Sequence, residues 1–300
     1  MSAPGPPSIA VEHLHELWVH TGTACNLACP FCHEGSKPGD SRIAAPTLTQ
    51  LAPVFKEAAA RGVRCFAFTG GEPLILKGIQ DILLCALQLA PALVLTNGTA
   101  PFIRRAHQLA QLHTAPHRLT FRVSIDYPEE ARHDAGRGLK NFRKALEGLR
   151  VLHAAGFAVG ITRQITAGED AQGVATRFRQ LLRKHRLPED LPVVALPDLA
   201  ALGDSDRLDG TTHALPESPH APAIQPACAR GRMLVMRDGD LRLHACPLTD
   251  DQPRFDTGDA LGEALATAVI PDHPRCSVCL NTGVDYAGMS ARAFTGGLAP

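Results

Sequence analysis

The sequence predicts an α/β fold, in which a partial (β/α)6 TIM-like barrel is followed by a small C-terminal cysteine-rich module. Three observations support this prediction. Short apolar runs alternate with amphipathic helical patterns over residues 15–196, which is typical of a parallel sheet. The alternation stops in a segment rich in Pro, Asp, Gly and His at residues 197–227, which indicates a linker or loop. Four cysteines then fall within residues 228–280.

The strand predictions rest on runs of apolar and β-branched residues between turn signals. These strands are Leu17–His20, Cys65–Phe68, Ala92–Thr96, Leu119–Ile125, Ala158–Ile165 and Leu191–Ala195. Right-handed crossovers between consecutive parallel strands roll six such strands into an open barrel.

Helices are predicted between the strands, where apolar residues recur at spacings of three and four. The clearest are Leu48–Ala60, Ile79–Leu89 and Phe142–Ala155. Gly62 and Gly156 follow two of these helices, at the position where a left-handed residue commonly ends a helix.

The cysteine-rich module begins with a predicted hairpin. Met233–Met236 and Leu241–His244 flank an Arg-Asp-Gly-Asp turn, and Ala260–Ala268 is predicted to form a short helix. About 55 residues bury too little apolar surface for a core of their own, so we expect a metal centre to stabilise this module. Residues 1–14 are interpreted as an N-terminal extension and residues 281–300 as a C-terminal tail.

Composition and charge narrow the function classes. The 300 residues carry 30 Lys and Arg against 30 Asp and Glu, a balance that creates no field to attract nucleic acid or an anionic membrane. No apolar run reaches the roughly 18 residues of a membrane span, and the first residues lack the features of a secretory signal. We therefore expect a cytoplasmic protein that acts on a small molecule or a peptide, with no nucleic-acid or membrane partner.

Cys25, Cys29 and Cys32 lie in one loop directly after the first predicted strand. In a reducing compartment, cysteines grouped in this way are metal ligands rather than disulfides. Three thiolates leave one iron of a four-iron, four-sulfur cluster open to another ligand, whereas electron carriers use four. Loops after barrel strands also lie at the face where such folds place active sites. A zinc site completed by His33 is the alternative.

The second predicted strand runs into Thr-Gly-Gly-Glu-Pro-Leu at residues 69–74. Gly70 and Gly71 lack Cβ atoms and permit close backbone approach at the strand end. Glu72 can accept charge-assisted hydrogen bonds from an ammonium group. At the end of the fourth strand, Ser124 and Asp126 carry groups that suit sugar hydroxyls, although such residues also cap turns.

These two motifs together resemble the radical S-adenosylmethionine (SAM) superfamily, through the Cys-x3-Cys-x2-Cys spacing, the aromatic residue before the third cysteine, and the Gly-Gly-Glu-Pro run. The resemblance implies a [4Fe-4S] cluster at Cys25, Cys29 and Cys32, with SAM on the open iron. It also implies SAM contacts in the cysteine loop and at the ends of the second and fourth strands. These contacts are Phe31, Gly70, Gly71, Glu72, Pro73, Ser124 and Asp126.

The C-terminal cysteines form a second group, made of Cys228, Cys246, Cys276 and Cys279. Four thiolates can close a full iron-sulfur cluster, and they can equally bind structural zinc. Their arrangement resembles the auxiliary-cluster module called a twitch domain, found in the aminocyclitol dehydrogenase of butirosin biosynthesis. The resemblance therefore implies a second [4Fe-4S] cluster at these residues.

The resemblance implies an enzyme that cleaves SAM reductively to a 5'-deoxyadenosyl radical and abstracts hydrogen from a substrate. An external one-electron reductant of the flavodoxin or ferredoxin type would supply the electron. The predicted function is a radical SAM oxidoreductase that dehydrogenates or otherwise tailors a small polar metabolite. Four cysteine ligands at the second cluster favour its role as the electron acceptor.

Two other functions stay open. A peptide-modifying maturase is expected to carry a peptide-binding domain, and only about 15 residues precede the first strand here. An iron-sulfur sensor or scaffold has no need of a SAM motif. The chain also resembles the GTP cyclase family of molybdenum-cofactor biosynthesis, but Ala67 and Gly160 stand where that family has basic residues.

Overall fold

The computed structural model describes residues 8–99, 109–166, 168–197, 199, 225–249, 252–276 and 279. Within these ranges the strands are β1 (Glu16–His20), β2 (Cys65–Thr69), β3 (Ala92–Thr96), β4 (Leu119–Ser124), β5 (Ala158–Gln164), β6 (Val193–Leu196), β7 (Gly231–Arg237), β8 (Asp240–His244) and β9 (Asp256–Gly258). The helices are α1 (Leu48–Ala60), α2 (Ile79–Leu87), α3 (Glu130–Arg137), α4 (Asn141–Ala154), α5 (Ala171–Lys184), α6 (Ala227–Arg230) and α7 (Leu261–Ala266). Short 3-10 turns are Pro73–Ile75, Ala110–Thr114 and Pro253–Phe255.

The strands form one sheet in the order β6-β5-β4-β3-β2-β1-β7-β8-β9. Strands β1 to β6 are parallel and adjacent in chain order, as successive crossovers of one hand produce. The sheet does not close, because β6 and β9 form its two edges. The predicted α/β fold with a partial barrel is therefore confirmed.

The helix ends follow the sequence signals. Thr47 and Gln50 form a capping box at the start of α1, which satisfies backbone N–H groups of the first turn. Gly62 and Gly156 have φ values of +82° and +85° after α1 and α4, as their predicted role at helix ends requires. Helices α3, α5 and α6 are additional to the helices named in the sequence prediction.

Alternation along the strands divides the buried residues into two clusters. Leu17 and Val19 of β1 join the large cluster beneath the helices, together with Phe55 of α1. Trp18 faces the other way and joins the cluster inside the barrel, with Leu93 of β3. Each fully buried large apolar side chain contributes about 1.5–3 kcal/mol.

The C-terminal hairpin extends the barrel sheet. Strand β7 pairs in parallel with β1, with Gly231 opposite Glu16 and Met233 opposite Trp18, and β8 and β9 add antiparallel strands. The predicted module thus shares the sheet and the interior cluster with the barrel. Its predicted boundaries stay predictions, because most of the linker (residue 198 and residues 200–224) and the tail lie outside the described residues.

No helix in the described ranges has both the length and the apolar character needed to cross a bilayer.

Candidate active site

Cys25, Cys29 and Cys32 lie in the loop after β1 and line a cleft at the carboxyl ends of the strands. The cleft has a volume of about 210 Å³ and opens to solvent. The backbone N–H of Cys32 donates to the carbonyl of Cys29 at 3.1 Å, and the N–H of Leu27 donates to Cys25 Sγ at 3.4 Å. The loop therefore presents three half-buried thiols to one space.

Gly70 and Gly71 allow the end of β2 to lie against this loop. The N–H of Gly71 donates to the carbonyl of Gly22 at 2.8 Å. A Cβ on Gly71 would lie 2.1 Å from the carbonyl oxygen of Ala24, and a Cβ on Gly70 would lie 2.7 Å from that of Gly22. Gly70 also has a φ of +122°, which side chains rarely allow. The close backbone approach that the sequence predicts is made here to the cysteine loop itself.

Glu72 is buried beneath the cleft. Its carboxylate accepts hydrogen bonds from the Thr96 hydroxyl at 2.6 Å, the Asn97 N–H at 2.7 Å and the Leu74 N–H at 3.2 Å. Burial raises the pKa of Glu72, although these donors favour the ionised form. Among the described residues, Gly70 and Gly71 line the cleft, whereas Glu72 and Pro73 do not. The role of the latter two as SAM contacts stays a prediction.

Asn97, at the end of β3, fixes the cysteine loop from the other side. Its Nδ2 donates to Asn26 Oδ1 at 2.9 Å and lies 3.9 Å from Cys25 Sγ. Asn26 donates in turn to Thr99 Oγ1 at 2.7 Å. These contacts connect the position of Cys25 to the ends of β2 and β3.

His20 and Glu34 hold the far end of the loop to β1. His20 Nδ1 accepts the N–H of Gly22 at 3.1 Å, so Nε2 carries the proton and donates to Glu34 Oε2 at 2.9 Å. Because Glu34 follows Cys32 by two residues, this pair restrains the third thiol as well.

Asp126 lies at the end of β4 and pairs with Arg137, a residue that the sequence analysis missed. Arg137 donates to both carboxylate oxygens of Asp126, with Nη2 at 3.1 Å from Oδ1. The Arg137 guanidinium carbon also lies 5.3 Å from the centroid of the Phe31 ring, within cation–π range. The available signal was Asp126 itself, since a carboxylate buried at a strand end requires a nearby cation. Ser124, Phe31, Asp126 and Arg137 all line the cleft.

Strand β5, next to β4 in the sheet, provides Thr162, Arg163 and Gln164 to the cleft wall. Arg163 forms an ion pair with Glu169, with Nη1 at 3.0 Å from Oε2. The Thr162 hydroxyl is buried and has no hydrogen-bond partner among the described residues. This wall therefore offers a hydroxyl group that a ligand can satisfy.

The three loop thiols fit an iron-sulfur cluster with one open position. Burial raises the pKa of Cys25 to about 11 and also raises the pKa of Cys29. The thiols of Cys25 and Cys29 are therefore protonated at neutral pH when no metal is bound, and cluster assembly must release their protons. The cleft beside them leaves room for a further ligand, as the three-cysteine donor set requires.

The four C-terminal cysteines line a second, small pocket together with Pro226 and Leu248. Burial, together with the neighbouring cysteines, raises the pKa of Cys228 and of Cys279 to about 12. Trp18 belongs to the same buried cluster, and its indole N–H has no acceptor among the described residues. Four thiols in an apolar pocket, with an unsatisfied donor in the surrounding buried cluster, fit a fully ligated, anionic centre.

The spacing of the donors bears on the zinc alternatives. Among the described residues, no three His, Cys, Asp or Glu side chains come close enough to hold a single metal ion. A zinc ion draws its sulfur ligands to about 2.3 Å from one point, whereas a four-iron cluster spaces them more widely. The choice between zinc and a cluster at the two cysteine groups stays a prediction.

The two cysteine groups lie at opposite ends of the barrel interior. Cys228 precedes β7, whose first residue Gly231 is opposite Glu16 at the start of β1, whereas Cys25 follows the end of β1. The five residues of β1 span about 13 Å. This separation places the cleft and the second group on two sides of one interior.

An apolar wall separates the cleft from the second group. Leu95, Leu196 and Leu199 line the cleft and also pack against the interior cluster that contains Cys228, Cys246 and Cys279. Arg275, which precedes Cys276, donates to the carbonyl groups of Leu199 at 2.7 Å, Leu248 at 3.2 Å and His33 at 3.4 Å. One arginine thus connects the cleft wall and both cysteine segments.

Comparison with known proteins identifies similar sequences and folds. A family model described as the Radical SAM superfamily matches residues 19–170. The probable GTP 3',8-cyclase of Archaeoglobus fulgidus is 43% identical over 76 residues, which are 25% of this chain and 24% of the relative. The sporulation killing factor maturation protein SkfB of Bacillus subtilis is 29% identical over 145 residues, covering 47% of this chain and 33% of the relative.

A structure of native anSMEcpe with bound AdoMet superimposes with a TM-score of 0.60 and 15% identity, over 89% of this chain and 84% of that chain. At this identity the likeness shows the fold alone. The chain spans about a quarter of the length of the first curated relatives that it matches, at 23% and 24%.

Proposed function

The chain belongs to the Radical SAM superfamily, and from this premise we propose that it oxidises a small polar substrate by hydrogen-atom abstraction, with the second cysteine group as the electron acceptor. One observation carries the proposal. Three thiols open onto a cleft, and four more lie behind the apolar wall of that same cleft. A substrate in the cleft is therefore between the two groups.

Family membership implies a [4Fe-4S] cluster and SAM, which together supply an electron and a 5'-deoxyadenosyl radical that removes a hydrogen atom from the substrate. Cys25, Cys29 and Cys32 would hold that cluster. Gly70 and Gly71 keep the loop against β2, and Ser124 and Asp126 line the same cleft, where their polar groups would contact SAM. Leu95 and Leu196 keep water from the interior side of the cleft.

The electron balance needs one reductant and one acceptor. An external flavodoxin- or ferredoxin-type protein would supply one electron, with which bound SAM would be cleaved to methionine and the 5'-deoxyadenosyl radical. The substrate would lose a hydrogen atom, which would form 5'-deoxyadenosine, and would then lose one electron to the second group and one proton to solvent. The product carries one new double bond. The two proposed clusters need seven of the nine cysteines as reduced thiolates, which supports a reducing, cytoplasmic location.

Iron and sulfide analysis of anaerobically reconstituted protein tests the two-cluster arrangement. We expect about eight irons per chain in the wild type and about four in a Cys276→Ala, Cys279→Ala variant, because each cysteine group holds one cubane. A Cys85→Ala variant is the control, since Cys85 lies outside both groups against the helix-side core. Zinc in place of iron in either group would contradict the proposal.

A SAM-cleavage assay tests the chemistry. With dithionite as reductant, the wild type should form 5'-deoxyadenosine and the Cys25→Ala variant should not. Titration of SAM should also change the paramagnetic spectrum of the reduced first cluster. An unchanged spectrum and no cleavage would favour the sensor or scaffold function instead.

A peptide-modifying function is the second candidate. Its support comes only from the descriptions of similar proteins, which refer to maturation or to a bound peptide. SkfB is called a maturation protein, and a solved structure of SuiB contains its precursor peptide SuiA, with a TM-score of 0.51. Cell extract is fractionated by size and each fraction is added to the SAM-cleavage assay. A fraction that contains the substrate should stimulate the formation of 5'-deoxyadenosine. Stimulation that survives protease treatment supports a small metabolite, whereas stimulation that protease abolishes supports a peptide.

A further inference from the structure

Arg232, on β7, is fully buried, with 0% of its surface exposed. Its guanidinium donates to four backbone carbonyl groups. Nε donates to Ala264 at 2.9 Å and Nη2 donates to Thr267 at 2.7 Å. Nη1 donates to Cys228 at 2.7 Å and to Gly231 at 2.9 Å. These acceptors surround the side chain from the ends of α6 and α7.

No carboxylate pairs with Arg232 within the described ranges of the chain. The carbonyl groups at the helix ends carry only partial negative charge. A buried cation without a full counter-charge costs several kcal/mol, so such residues are rare without a compensating anion. The bond from Nη1 to the Cys228 carbonyl places this positive charge against the segment that carries Cys228, and Cys246 belongs to the same buried cluster as Cys228.

We propose that Arg232 is the fixed positive charge that raises the reduction potential of the centre held by Cys228, Cys246, Cys276 and Cys279. This inference rests on the proposed second cluster. Reduction adds one negative charge to a centre that four thiolates already make anionic, and a buried cation beside it favours the reduced state. The centre thereby becomes a better acceptor for the electron that the substrate radical gives up.

Arg232 acts here as a positioning and electrostatic residue, because it touches a ligand backbone rather than a reacting atom. Its bond to the Cys228 carbonyl also fixes the start of β7. Charge and hydrogen bonding can be separated by substitution. Arg232→Lys keeps the charge and loses the planar set of donors, Arg232→Gln keeps two donors and loses the charge, and Arg232→Met loses both.

The test is a redox titration of the reconstituted holoenzyme, followed by electron paramagnetic resonance, with SAM added to identify the signal of the first cluster. In the Met and Gln variants, the reduction potential of the second cluster should fall by at least about 59 mV. This fall corresponds to a tenfold shift of the one-electron equilibrium towards the oxidised form. The Lys variant should stay near the wild type. Iron content is measured on every sample.

The outcomes separate this inference from the proposed function. About four irons in the wild type would show that the second cluster is missing, and would overturn the proposed function. About eight irons with equal potentials in the wild type and the Met and Gln variants would overturn the role of Arg232 alone, as would a Lys variant that shifts as far as Gln. A further outcome is that the Met and Gln variants, which are both neutral, fail to assemble the second cluster. In that case, a Lys variant that keeps the cluster supports the role of the Arg232 charge. A Lys variant that also loses the cluster overturns the inference.

Discussion

Glu72 accepts the backbone N–H of Asn97 at 2.7 Å and so joins the end of β2 to the end of β3 beneath the cysteine loop. The same carboxylate accepts the Thr96 hydroxyl at 2.6 Å. Glu72, which the family resemblance assigns to SAM binding, thus also supports the loop that carries Cys25.

Glu72→Gln should destabilise the fold. The amide NH2 group would face one of the buried donors that the carboxylate now accepts, which costs about 1–3 kcal/mol. Urea denaturation of the cluster-free protein measures the free energy of unfolding. Glu57→Gln is the control, because the exposed ion pair of Glu57 with Arg61 contributes less than about 1 kcal/mol. Unchanged stability together with weaker SAM binding would show that the Glu72 carboxylate serves the cofactor only.

Gly71→Ala should impair cluster assembly. A Cβ 2.1 Å from the Ala24 carbonyl forces the cysteine loop away from β2 and misplaces Cys25. We expect the iron held by the first cluster to fall severalfold, with a matching loss of SAM cleavage. Gly39→Asn, in the same loop, is the control, because a Cβ there meets nothing within 4 Å and asparagine tolerates its positive φ. Full iron content in the Ala variant would contradict the contact.

Arg137→Met should leave Asp126 buried without its cation. Loss of one partner from a buried ion pair costs about 3–5 kcal/mol. The double variant with Asp126→Asn should recover part of that loss, because the unpaired charge is then removed as well. The measurement is a double-mutant cycle of unfolding free energies. Additive effects of the two substitutions would mean that the pair is not coupled.

His133 should make stability depend on pH. The pKa of His133 is lowered to about 4, below the unfolded value near 6.5. Burial of the ring is the main cause, and the positive charge of Arg137 is the second cause. Between these values the unfolded chain binds more protons, so the free energy of unfolding falls as pH decreases from 6.5 to 4. The difference is roughly 3 kcal/mol at most, from about 1.4 kcal/mol per unit.

A His133→Gln variant tests this prediction, since glutamine keeps an acceptor for the Asp126 N–H but does not titrate in this range. Its stability should change less with pH than that of the wild type. Equal pH profiles for the two proteins would assign the acid sensitivity to other groups. His113→Gln, whose ring lies at the far end of β5 against Phe157, is a matched control.

The predictability of the site differs from one residue to another. The loop with Cys25 could be placed at the carboxyl end of β1, because spacing and strand order are local properties of the sequence. Arg137 could not be found in this way. Its contact with Asp126 depends on how α3 folds back over β4, and no spacing rule fixes that approach.

The second cysteine group shows the same limit. Its four residues and its hairpin were visible as a pattern, but not the parallel pairing of β7 with β1. That pairing joins residues more than 200 positions apart, and the energy of such contacts arises only when the whole sheet is assembled.

By itself, the sequence determined the alternation of strands and helices, the two groups of thiols and the glycines at the end of β2. These features follow from local periodicity and from the chemistry of single side chains. The tertiary structure decided that Glu72 supports the loop beneath the cleft, that Arg275 connects both cysteine segments, and that Arg232 is buried beside the second. These outcomes depend on which groups, distant in sequence, are buried together in the folded protein. In a low-dielectric interior, a charge and its hydrogen-bond partners interact much more strongly than in water.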